Sequence, residues 1–195
     1  MLKVDSEELD FIERIMCDFK FPWFIAGGWA IDLGIGKQTR EHEDLDICIF
    51  REHTSEVLNY FSDWEIKVAI PGENRLEPVV NLEDTKKPRY GLHLNKGSRF
   101  IEILLTDKIE NQITFRRDPS ITLNYKDFVR TDAVGRKLIA PELQLLFKAK
   151  EGRGKDQHDF YAYLPGMSTE QKNWLHSTLI KHHPVSPWIN DLQFE

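Results

Sequence analysis

The sequence predicts an α/β chain of the α+β kind, in which a mixed sheet flanked by helices spans residues 1–138 and a small helical lobe follows over 139–195. Three observations predict this. Helical and strand periodicities alternate as far as Leu138. Beyond Leu138 the strand signals stop and three helical stretches follow. The chain has 195 residues, 41% of them hydrophobic, enough for one substantial domain or for a core with a small second lobe. No repeat or low-complexity tract interrupts it.

The elements follow in order. Asp5 is placed to open a helix, with Glu8 three residues on as a capping partner. Leu9, Ile12, Met16 and Phe19 then recur at helical spacing, and Pro22 ends the run. Trp23 to Ala26 reads as a short strand, Gly27-Gly28 as a turn and Trp29 to Leu33 as a short helix. Residues 34–43 are polar and read as a loop. Leu45, Ile47 and Ile49 alternate with Asp44, Asp46 and Cys48, a strand of period two. Thr54 to Phe61 reads as a helix, and Trp64 to Ile70 as a strand stopped by Pro71-Gly72. Tyr90 to Leu94 and Phe100 to Leu105 form a hairpin pattern around Asn95-Lys96-Gly97. Ile113 to Phe115 and Ile121 to Leu123 are further strand candidates. Pro141 suits a first helical turn, and Glu142 to Lys150 continues it until Gly152 and Gly154. Asp156 to Tyr163 and Thr169 to Ile180 complete the helical lobe.

Composition narrows the function. The net charge is −6 and there is no Lys/Arg stripe, which speaks against nucleic acid and suits a cationic or neutral small molecule. No apolar run approaches the ~18 residues of a membrane span. The acidic start MLKVDSEELD lacks the apolar region of a signal peptide, so a cytoplasmic setting is expected. Cys17 and Cys48 offer neither a disulfide framework nor metal-ligand spacing.

The chemistry-bearing segment is Gly27 to Asp46, GGWAIDLGIGKQTREHEDLD. Two residues apart on a strand, Asp44 and Asp46 point the same way. Like charges side by side repel unless a cation lies between them, and Mg²⁺ accepts a few carboxylate oxygens alongside water and phosphate. Upstream, a strand, a Gly-Gly turn and a helix start form a phosphate cradle: glycine lets the backbone approach an anion, and a helix N-terminus offers free N–H groups. Taken alone, the aspartates also fit an exposed polar face. A glycine pair sixteen residues upstream makes the combination specific.

Gly27, Gly28, Trp29, Asp32, Gly36, Arg40, His42, Asp44 and Asp46 together resemble the DNA polymerase β-like nucleotidyltransferases. Within that superfamily they look most like the aminoglycoside 2''-adenylyltransferases and the small lincosamide nucleotidyltransferases, and APELQLLFKAKEGRGKDQHDF is similar to the end of that group. The middle of the chain, residues 51–116, resembles it only loosely. The resemblance implies a nucleotidyltransferase-type fold, with Asp44 and Asp46 as Mg²⁺ ligands and Gly27 and Gly28 bracketing the triphosphate of ATP or another nucleoside triphosphate. Gly28 stands where many relatives carry Ser, so a backbone N–H must replace that hydroxyl. Arg40 is expected to meet phosphate oxygens bidentately. His42 is expected to do the same or to orient a carboxylate, and both residues also fit a solvated loop. Trp29 and Asp32 are expected to pack and cap.

The family also implies a third acid that completes the metal site or serves as general base. Glu102 in RFIEILL is the candidate, because an acid on an apolar strand face needs a reason. A strand-end salt bridge is the plain alternative, and Asp107 and Glu83 are weaker choices. His93 on the adjacent strand can contact substrate or be structural. Lys148 is placed to reach a triphosphate or to remain a solvated helix lysine. Arg116-Arg117 offers charge to phosphate or forms an exposed turn. Asp156 and Asp159 suit a helix N-terminus, or a cationic amino sugar if they face a cleft. The expected activity is Mg²⁺-dependent transfer of a nucleoside monophosphate to a hydroxyl of an aminoglycoside or lincosamide, by a monomer or homodimer. The alternatives are an antitoxin-like enzyme that modifies proteins and a non-catalytic nucleotide-binding regulator.

Overall fold

The computed structural model describes residue 4 and residues 6–193. Asp5 lies outside the described residues; the first helix, α1 (Glu7–Met16), is capped by Ser6, whose hydroxyl accepts the Leu9 N–H. Leu9, Ile12 and Met16 are buried along one face, as their spacing predicts. Strand β1 (Trp23–Ile25) leads into α2 (Gly27–Ile35). The helix therefore absorbs both glycines expected in a turn and ends at Gly36 in the left-handed conformation. Next come β2 (Asp46–Phe50), α3 (Thr54–Tyr60) and β3 (Glu65–Ala69), which turns back into β4 (Leu76–Pro78). The predicted hairpin is β5 (Gly91–Lys96) and β6 (Arg99–Thr106). β7 (Lys108–Ile109), β8 (Gln112–Thr114) and β9 (Thr122–Asn124) form a separate small sheet. A short helix, α4 (Tyr125–Phe128), precedes β10 (Val129–Thr131) and β11 (Lys137–Ile139). The last helices are α5 (Pro141–Lys148), α6 (Gly154–Tyr163), α7 (Thr169–His182) and α8 (Trp188–Asp191).

The main sheet runs β10-β11-β1-β2-β6-β5-β3-β4. Its central pair, β2 and β6, is parallel, with Asp46 opposite Glu102. β5 is antiparallel to β6, with His93 opposite Glu102. β11 pairs parallel to β1, so the main sheet extends one residue past the boundary expected at Leu138.

Alternation along the strands separates two cores. Ile25, Ile47, Ile49, Ile101 and Ile103 pack with α1 and with Trp29, Ala30 and Leu33 of α2. Phe24, Cys48 and Phe50 pack the other way, with Leu143, Leu146, Phe160 and Leu175 of the C-terminal helices. Asp46 shares the face of Cys48 and Phe50, and Glu102 that of Leu104. Both acids therefore face the side of the sheet that the C-terminal helices cover.

Candidate active site

Asp46 begins β2, and its carboxylate meets the first turn of α2. Gly27 has φ +62°, and a Cβ there would sit 1.8 Å from Asp46 Oδ2. Only glycine permits both the backbone angle and this approach. Burial, the neighbouring charges of Glu102 and Asp44, and hydrogen bonding to Glu102 push the Asp46 carboxyl up to about 7, against a pull from Lys148. A pair of carboxylates that resists double ionisation is a place where a cation is favoured.

Asp46, Glu102 and Gly27 line a cavity of about 270 Å³ between the sheet and α5. Leu104, Phe115, Leu143 and Phe147 give it apolar walls, and Arg116, Arg117, Lys148 and Arg153 supply positive charge. Arg116 stacks over Tyr90 and Phe147, and burial lowers its pKa. Arg117 donates to the Phe147 carbonyl at 2.6 Å; burial and then Arg116 lower its pKa. Neither arginine forms an ion pair among the described residues. Cations desolvated without a carboxylate partner favour an anionic ligand. Read from sequence, Arg116-Arg117 suits either phosphate or an exposed turn; both residues line the cavity.

Asp44 differs from Asp46. It precedes the strand, is exposed and does not line the cavity. Its charge acts on Asp46, Arg40 and Arg153. Among the described residues no three His, Cys, Asp or Glu side chains converge on one point. Asp46 and Glu102 line the cavity, and Asp44 stands beside it, near enough for its charge to raise the Asp46 pKa. Two carboxylates with room for phosphate and water still fit Mg²⁺, which is commonly held by one or two carboxylates plus substrate oxygens. Of the alternative third acids, Asp107 is paired with Arg51 at 2.8 Å and Lys87 at 3.2 Å, and Glu83 with Lys86 on the surface. His93 Nε2 lies 3.9 Å from Glu102 Oε1.

The loop after α2 is fastened by ion pairs. Arg40 does not present its fork to the cavity: Nε and Nη2 donate to the two oxygens of Asp159 at 2.7 and 2.9 Å, and Nη1 to the Glu41 carbonyl. His42 Nε2 is 2.7 Å from Asp32 Oδ2, and its ring packs on Trp29. Buried Asp32 also accepts the Thr39 N–H and hydroxyl. His42 thus takes the second of its expected roles, orienting a carboxylate. Lys148 reaches Asp159 at 2.8 Å and Asp156 at 3.3 Å while lining the cavity. Burial raises the pKa of Asp159, but hydrogen bonds from Arg40 and Lys148 outweigh it and hold the carboxyl below the usual range. Asp156 and Asp159, fully buried and paired, are not open to a cationic sugar.

This lattice also accounts for Gly28. A Cβ there would lie 2.5 Å from Arg40 Nη2 and from His42, so a serine requires the ends of both side chains to shift. The Gly27 N–H does not supply the substitute contact, because it donates to Gln144 Oε1 at 2.8 Å. The Gly28 and Trp29 N–H groups have no acceptor among the described residues. Gln144 was missed from sequence. Its signal was its place four residues before Lys148 on a helix, which puts both side chains on one face.

The model of the family described as aminoglycoside-2''-adenylyltransferase matches residues 9–87. A lincosamide resistance protein of Staphylococcus haemolyticus is 29% identical over 152 residues, 74% of this chain and 84% of that protein. A 2''-aminoglycoside nucleotidyltransferase of Escherichia coli is 33% identical over 57 residues, 28% of this chain and 32% of that protein. Among solved structures, lincomycin-bound lincosamide adenylyltransferase LnuA aligns with TM-score 0.58 and 24% identity, over 83% of this chain and 98% of its own. ANT(2'')-Ia with adenylyl-2''-tobramycin aligns with TM-score 0.60 and 16% identity, over 90% and 98%. By its motif, fold and relatives, the chain is a nucleotidyltransferase that resembles the aminoglycoside 2''-adenylyltransferases and the lincosamide nucleotidyltransferases.

Proposed function

We propose that the chain transfers a nucleoside monophosphate, AMP from ATP, to a hydroxyl of a lincosamide or aminoglycoside antibiotic. The observation that carries this is the pairing of Asp46 with Glu102 on parallel strands at the wall of a cavity that also holds Arg116, Arg117 and Lys148. Acids and cations on one cavity support a reading in which the acids serve the reacting phosphorus and the cations the polyphosphate. The hydroxyl oxygen attacks the α-phosphorus, the bond from phosphorus to the bridging oxygen breaks, and pyrophosphate leaves. Glu102 accepts the hydroxyl proton, with His93 behind it. Asp46 and Glu102 would hold Mg²⁺, which neutralises phosphate charge and aligns the reacting oxygens when bound. Arg116 and Arg117 bind the departing negative charge, and the α2 N-terminus adds the free Gly28 and Trp29 amides. The relative matched along most of its length is a lincosamide resistance protein, which favours a lincosamide over an aminoglycoside as first acceptor to test.

The test is to incubate the protein with ATP, Mg²⁺ and panels of both antibiotic classes, measuring pyrophosphate release and the mass of the acceptor. A gain of one AMP unit is expected. Absence of product with every acceptor, together with absence of Mg²⁺-dependent ATP binding, would overturn the reading. Labelling of a protein in place of any small molecule would favour the protein-modifying alternative.

A further inference from the structure

The amide of Gln144 has one half committed and one half free. The Gly27 N–H can only donate, so the atom facing it at 2.8 Å is Oε1, and Nε2 must point away. That Nε2 is buried and has no acceptor among the described residues. The whole residue is only 4% exposed, and it lines the cavity with Gly27, Asp46 and Lys148. A buried amide donor left unpaired is costly, and folds retain one where a ligand supplies the acceptor. Lys148, Arg116 and Arg117 line the same cavity, which suits an anionic oxygen as that acceptor. Gly28 has no hydroxyl, and Arg40 and His42 crowd the space where its Cβ would be.

We propose that Gln144 is a phosphate-positioning residue. Its Oε1 locks Gly27 in the left-handed conformation, and its Nε2 donates to a non-bridging oxygen of the diphosphate that leaves in the reaction. Gln144 thereby replaces, from α5, a donor that the glycine turn cannot provide. The assignment rests on the proposed nucleotidyl transfer and adds to it a specific contact. Asp46 and Glu102 would mark the reacting phosphorus, and Gln144 is bonded to Gly27, which lies against Asp46.

The test compares wild type, Gln144→Glu and Gln144→Met for binding of inorganic pyrophosphate, ATP and AMP by calorimetry. Gln144→Glu keeps an oxygen for the Gly27 N–H and replaces the free donor with an acceptor; Gln144→Met removes both groups at similar length. Affinity for pyrophosphate and ATP should fall about 10- to 100-fold in both variants, as loss of a hydrogen bond to a charged group predicts. Affinity for AMP should change less than about twofold, since a contact made only to the leaving diphosphate leaves AMP untouched. A residue that merely supports the fold would weaken all three ligands together, and that pattern would overturn the proposal. So would retention of wild-type pyrophosphate affinity in both variants. If wild type binds neither ATP nor pyrophosphate, the nucleotidyl-transfer reading itself fails, a result distinct from either.

Discussion

Replacing Asp46 with asparagine should make the protein more stable while abolishing its activity. The carboxyl is raised from the usual 3.8 to about 7 by burial and by its acidic neighbours. Because the folded-state value lies above the unfolded one, ionisation costs folding free energy. The cost is absent below pH 3.8, grows as pH rises, and is complete above about 7. A change of that size in proton affinity corresponds to about 4 kcal/mol at pH 8 and about 2 kcal/mol at pH 5. Asparagine is nearly isosteric and never ionises, so it removes the cost at both values. For a chain of this length, about 4 kcal/mol corresponds to a Tm gain on the order of 10 °C at pH 8, and roughly half that at pH 5. The assay is thermal unfolding of both proteins in EDTA at the two pH values. Adding Mg²⁺ and ATP should then raise the Tm of the wild type and leave that of Asp46→Asn nearly unchanged. An asparagine variant no more stable than wild type at pH 8, or a gap that does not widen from pH 5 to pH 8, would refute the electrostatic reasoning.

Asp159→Asn leaves Arg40 and Lys148 without their shared buried partner; breaking such a pair typically costs about 3–5 kcal/mol, so a Tm loss of about 10 °C is expected in calorimetry. In the wild type, the same contribution should be lost as pH falls below the usual aspartate range, because the Asp159 carboxyl is held below it. Gly28→Ser, which supplies the hydroxyl found in many relatives, should weaken the fold by roughly 1–3 kcal/mol through overpacking against Arg40 and His42 and bring no gain in ATP affinity; tighter ATP binding at unchanged Tm would contradict the close approach. Glu102→Gln should lower kcat by about 10²–10⁴-fold if the residue takes the hydroxyl proton, and a loss under about tenfold in a pyrophosphate-release assay would count against that role.

Local spacing made some of the fold and site legible in the sequence. The period-two run after Asp44 fixed which face Asp46 occupies, and Ile101, Ile103 and Ile47 went to the opposite core as that pattern requires. The β5–β6 hairpin placed Glu102 on a strand, and α1, α3 and α5 to α7 followed their helical spacing. Spacing alone did not reveal β4, β10 and β11: each is three residues long, and they exist because neighbouring strands offer unpaired backbone edges. Alternation also paired Asp44 with Asp46, but the strand itself begins only at Asp46, and Asp44 is exposed ahead of it.

By itself, then, the sequence determined a local property: a glycine pair before an aspartate strand, whose backbone comes close against the Asp46 carboxylate. Tertiary structure alone decided which charged side chains remain free to use it. Arg40, His42, Asp156 and Asp159 all looked available, and pairing consumed them (Arg40 with Asp159, His42 with Asp32, Asp156 with Lys148), because a charge removed from water must find its partner inside the fold. The same packing left Arg116, Arg117 and Gln144 lining the cavity without carboxylate partners, 70 or more residues from the glycine turn in sequence. Such contacts depend on how α5 and the β8–β9 loop close over the sheet, which no local spacing encodes.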